Sequence, residues 1–129
     1  MGAEPSFDLA AAGLRADGRD LEGGVEVLAR KLEDALPAAT RVERRPRRLL
    51  SREKRVSEIR VALGDVDYVL RVERHGVAPT RAKTVRGVRI KHEELNLEGW
   101  LSALERDLRE QAATSAEARG ALERLLGAR

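Results

Sequence analysis

The chain has 129 residues, with 25 Lys+Arg against 22 Asp+Glu and a net charge of +3, the length of one ordinary domain. It contains no cysteine, which excludes a disulfide framework, a thiol nucleophile and a Cys-ligated zinc or iron–sulfur site. No apolar run approaches the ~18 residues of a membrane span and the start does not read as a signal peptide, so a cytoplasmic protein is expected.

The aromatic residues are Phe7, Tyr68 and Trp100, while alanine alone contributes 19 residues. Leu, Ile, Val and Phe make up about a quarter of the chain, above the roughly 20% below which disorder is expected. A fold around a thin aliphatic core follows. The charge is unevenly placed: residues 1–39 carry 4 basic and 8 acidic side chains, 40–92 carry 16 and 6, and 93–129 carry 5 and 8. Arg outnumbers Lys 21 to 4, which looks like GC-rich codon usage, so the pattern of charge informs more than its total.

Ser6 can cap a short helix to Arg15, with Phe7, Ala10, Ala11 and Leu14 on one face. Ala16-Asp17-Gly18-Arg19 breaks it. Asp20 can cap a second helix whose stripe is Leu21, Val25, Leu28, Leu32 and Leu36; Gly23 and Gly24 weaken its first turn, and Pro37 ends it. From Thr40 the period changes. Thr40–Arg45 reads as a short strand, and Val56–Leu63 with Val66–Arg74 as a hairpin around Gly64-Asp65. That turn sets Leu63 against Val66, Val61 against Tyr68 and Ile59 against Leu70 on one face, with Glu58 facing Arg71 on the other. His75-Gly76 marks another reversal. Val77–Thr84 and Val85–Ile90 supply further strand, with Gly87 as a candidate bulge.

Asn96 caps the next helix, with Leu95 as a staple on Trp100 and a stripe of Leu97, Trp100, Leu101, Leu104 and Leu108. Thr114-Ser115-Ala116-Glu117 reads as a capping box before a last helix holding Ala118, Leu122, Leu125 and Leu126, closed by Gly127. The expected fold class is therefore α+β: one domain over 1–129, helical over 1–37, an antiparallel sheet of three or four strands over 40–90, and helical over 96–126, with the N-terminal and C-terminal helices packed on the sheet.

Few residues suit catalysis. His92 opens His92-Glu93-Glu94, but the second histidine of H-E-x-x-H is replaced by Asn96, and His75 precedes a turn glycine; neither belongs to a ligand set. Ser51, Ser57, Ser102 and Ser115 lack a nucleophile-elbow context. No glycine-rich phosphate-binding pattern occurs, and Gly23-Gly24 follows a helix rather than a strand. Paired carboxylates such as Glu33-Asp34 and Glu93-Glu94 read as solvated faces. The expectation is a non-enzyme without metal or cofactor.

The unusual feature is Arg41–Arg55, with eight basic residues against Glu43 and Glu53. It reads either as an anion-binding loop or as a solvated connection with Leu49-Leu50 tucked beneath the sheet. No aromatic accompanies it, so bases find no stacking platform and phosphate contact would be salt-dependent. Acidic helices beside a basic sheet are also complementary between copies, and open edge strands invite pairing or strand addition.

The runs Val85-Arg86-Gly87-Val88-Arg89-Ile90-Lys91-His92-Glu93-Glu94-Leu95, Trp100-Leu101-Ser102-Ala103-Leu104 and Leu14-Arg15-Ala16-Asp17-Gly18-Arg19-Asp20-Leu21 resemble small α+β proteins of GC-rich bacteria with no established activity. The resemblance implies no catalytic residue. The topology is also similar to that of secretion-chaperone-like domains, which dimerise and bind partner segments, an analogy of fold. The expected function is a self-associating interaction, adaptor or accessory domain whose partner-binding residues are Arg44, Arg45, Arg47, Arg48, Leu49, Leu50, Arg52 and Arg55. The alternative is nonspecific binding of nucleic acid or an anionic membrane through residues 41–55.

Overall fold

The computed structural model describes residues 21–46, 50, 52–74 and 76–127. The expected helix Ser6–Arg15, the cap Asp20 and the turn residue His75 lie outside them. Helix α1 spans Leu21–Ala35. Val25, Leu28, Ala29, Leu32 and Ala35 are buried along it, the one-sided stripe of an amphipathic helix on a core. Leu36 N–H donates to Leu32 O at 2.8 Å, and Pro37, lacking a donor, stops the ladder there.

Five strands follow in an antiparallel meander: β1 Thr40–Pro46, β2 Lys54–Leu63, β3 Val66–Glu73, β4 Gly76–Val85 and β5 Val88–Glu94, each beside its neighbour in sequence. The β2–β3 register is the expected one, with Leu63 opposite Val66, Val61 opposite Tyr68, Ile59 opposite Leu70 and Glu58 opposite Arg71. Gly64 leads the turn at φ +59°, a backbone conformation that favours glycine. An irregularity opposite Glu43/Arg44 gives β2 an extra residue, so Val56 joins Ile59, Val61 and Leu63 on the buried face.

The strand count corrects the expectation of three or four. Arg86 and Gly87 both take positive φ, 53° and 80°, the backbone of a tight hairpin turn. They turn the expected Val85–Ile90 run back on itself after Val85, so that Val88–Glu94 forms a separate fifth strand. Gly87 is thus a turn residue rather than a bulge, and the ladder irregularity lies at Lys83/Thr84 instead. The sheet also runs to Glu94. β5 lacked a readable period because it is an edge strand, exposed along nearly its whole length, so no buried face imposes alternation.

Helix α2 spans Leu97–Ala112 and α3 Ala116–Leu125. Asn96 caps α2, its Oδ1 accepting from Gly99 N at 2.7 Å. Ser115, not Thr114, caps α3: its extended backbone aims Oγ at Ala118 N, 3.1 Å away, as an N-cap requires. α1 packs on β1 and β2, α2 packs on β4, and α3 packs against both other helices. The result is two layers, with the helices over one sheet face and a core centred on Tyr68 and Trp100, both fully buried. Their rings meet edge to face at 5.8 Å and 81°, a favoured aromatic geometry.

Candidate functional site

The expected partner-binding residues divide in the structure. Arg44 sits on the helix-facing side of β1, since Thr40 and Val42 at the same parity are half-buried too. Its Nη2 lies 2.9 Å from Glu26 Oε2 and 3.4 Å from Glu33 Oε1 on α1. Arg30 Nε adds a contact of 2.9 Å to Glu26. The Arg44 hydrogen bond, opposed by burial and reinforced by Arg30, holds the Glu26 carboxyl below its ordinary value of 4.5. Arg44 thus ties α1 to the sheet edge.

Arg45 is exposed on β1, 3.8 Å from Glu43 Oε1. Arg52 is exposed, Arg55 is half-buried at the start of β2, and Leu50 is 94% exposed. For Leu50 this excludes one of the two readings of the segment, the one that tucks it under the sheet. Arg47, Arg48 and Leu49 lie outside the described residues. Arg55 lines a pocket with Lys54, Glu53 and Glu26, one that Arg44, Arg45 and Arg52 do not line.

A second cluster escaped the sequence reading. Arg81 of β4 faces inward, opposite Tyr68 of β3. Tyr68 donates its hydroxyl hydrogen to Asp107 Oδ2 of α2. Arg81 Nε donates to Tyr68 Oη at 3.0 Å, and Nη2 to Asp107 Oδ2 at 2.9 Å. Arg81 Nη1 reaches Glu93 Oε1 of β5 at 3.2 Å, and its guanidinium carbon stands 5.7 Å from the Tyr68 ring centre. Burial, with the Asp107 carboxylate in support, raises the Tyr68 phenol well above its ordinary 10.0. The one legible signal was Asp107 itself, a carboxylate at i, i+3, i+4, i+7 with Trp100, Ala103 and Leu104 on the buried face of α2.

This cluster joins β3, β4, β5 and α2, with each polar group satisfied by another. A phenol held neutral and an arginine held charged by internal partners brace the fold; they do not present a nucleophile or base to solvent. A cleft of about 230 Å³ lies between Ala35, Ala62, Leu108, Gln111, Ala118 and Arg124. Its walls mix alanine and leucine with the polar Gln111, Ser115 and Glu117, and Arg124 Nη2 donates to Ala35 O at 3.0 Å across one side.

Among the described residues, the outer edge of β5 meets no further strand. Val88 is 62%, Ile90 57% and Val85 37% exposed, grouped on the β4–β5 hairpin. On the sheet face away from the helices, Glu58 lies between Arg60 and Arg71 Nε, the latter at 3.2 Å. No helix among the described residues is long and apolar enough to cross a membrane. No protein-family model, curated protein or solved structure matches the chain.

Proposed function

We propose that this chain is a non-enzymatic interaction or adaptor domain that self-associates, working through its surface edge rather than through a catalytic pocket. The observation that carries the proposal is the exposed apolar group Val85, Val88 and Ile90 on and beside β5, the edge strand of the sheet among the described residues, a surface that natural sheets otherwise blunt or cover. The inward satisfaction of Tyr68, Arg81 and Asp107 supports it, because the best-organised polar cluster is committed to the fold. The proposal includes the cytoplasmic location expected from the sequence. Light scattering coupled to size exclusion tests it: a mass rising from one chain toward two with concentration is expected, and one-chain mass throughout overturns it. A pull-down from native extract that loses its partners on nuclease treatment would also count against a protein-contact role.

A second reading rests on a different observation, the 94% exposure of Leu50 beside exposed Arg52. An apolar tip in a basic connection suits an anionic membrane surface or a phosphate backbone. Retention on anionic vesicles or DNA, falling steeply with salt and lost in an R45A/R52A variant, is its expected signature. Unchanged retention in that variant refutes it.

A further inference from the structure

Resting on the self-association reading, the partner and the register can be specified. Leu95 N–H donates to Pro79 O at 3.1 Å, continuing the ladder in which Glu94 faces Thr80 and Glu93 faces Arg81. Backbone groups alternate in direction along an antiparallel strand. Glu93 and Lys91 therefore direct theirs toward β4, while Glu94 and His92 direct theirs outward. β5 is the last strand in the sheet order, so these outward groups meet no further strand among the described residues.

The other edge is less open. β1 ends in Pro46, which has no donor, and carries the inward-facing Arg44 bound to α1. β5 lacks proline and exposes Val88 and Ile90 instead.

We infer that β5 pairs antiparallel with β5 of a second copy about a two-fold axis at His92, extending two sheets into one. The side-chain charges select this register. A two-fold axis perpendicular to the sheet places residues of the same face opposite each other, so the axis must pass through a residue. Centring on Lys91 sets two lysines face to face, centring on Ile90 sets Arg89 against Lys91, and centring on Glu93 opposes two glutamates. Centring on His92 sets Lys91 of each copy against Glu93 of the other, in the closely spaced pairs where side chains approach best. Lys91 Nζ already lies 3.5 Å from its own Glu93 Oε2, so four alternating charges gather on the helix side. His92 then exchanges backbone hydrogen bonds with His92 of the second copy, on the stretch of β5 beyond the irregularity at Ile90.

The natural chain has no cysteine, which makes a single thiol diagnostic. Opposed residues in such a pair stand about 5.5 Å apart at Cα, within the ~4.4–6.8 Å a disulfide spans. Under oxidation H92C is expected to form a disulfide-linked dimer, while V42C on β1 and K91C, two residues out of register with its own copy, do not. K91E, which sets a carboxylate against Glu93 twice, should weaken the dimer roughly tenfold with unchanged circular dichroism. Light scattering showing a dimer while H92C stays unlinked, or V42C linking in its place, overturns the β5 register but leaves self-association standing. One-chain mass for the unmodified protein overturns both.

Discussion

Tyr68 and Asp107, 39 residues apart in sequence, are joined by a buried hydrogen bond from the phenol to the carboxylate. Strand β3 supplies one and helix α2 the other, so the bond fixes how the helical layer sits on the sheet. Arg81, 12% exposed like Asp107, closes the arrangement from β4.

Tyr68→Phe removes the hydroxyl that donates to Asp107 and accepts from Arg81. A loss of about 1–3 kcal/mol is expected. Asp107→Ala leaves Arg81 with Glu93 as its remaining carboxylate and should cost more, about 3 kcal/mol or above. Urea unfolding followed by Trp100 fluorescence measures both, and equal or negligible losses would deny the cluster its bracing role.

The raised phenol of Tyr68 predicts alkaline sensitivity. Its folded value lies above the ordinary 10.0, so the contribution is fully present below pH 10 and is lost as pH rises toward the folded value. Because Tyr68 is the single tyrosine, phenolate absorbance reports it alone. Phenolate should appear together with the loss of circular dichroism; phenolate formed near pH 10 in a folded protein contradicts the burial argument.

Glu26 works in the opposite sense. Its folded value is below 4.5, so its contribution is present above that pH and is lost as pH falls through the folded value. Wild-type stability should drop in this acid range more steeply than that of Glu26→Gln, and parallel curves would remove Glu26 as a contributor.

Arginines within the basic segment should differ in kind. Arg44→Ala breaks two contacts to α1 and should destabilise by about 1 kcal/mol, an effect reduced by salt. Arg45→Ala and Arg52→Ala, at exposed positions, should stay within about 0.5 kcal/mol of the parent. Thermal unfolding at two salt concentrations separates them.

Gly64→Ala places a methyl at φ +59°, 3.1 Å from Gln111 Nε2. A cost of about 1–2 kcal/mol is expected from the left-handed backbone. An unchanged melting temperature would show that the turn relaxes.

Legibility followed burial. The β2–β3 hairpin could be read from Gly64-Asp65 and alternating Ile59, Val61 and Leu63, because a buried face punishes any one-residue slip. β5 could not be read as a separate strand, since exposure on both faces leaves no period, and its turn depends on Arg86 at a φ that arginine rarely adopts.

The candidate sites divide on the same ground. The basic run was plain in the sequence, yet its linear density did not reveal that Arg44 turns inward to Glu26 and Glu33. Sequence alone determined the amphipathic helices, the helix stops and the central hairpin, because local sterics and period are written in neighbouring residues. Tertiary structure decided which charges are neutralised, which strands form the sheet edges among the described residues, and how Tyr68, Arg81 and Asp107 meet. Those depend on distances between residues far apart in the chain, and only packing of the helical layer on the sheet sets them.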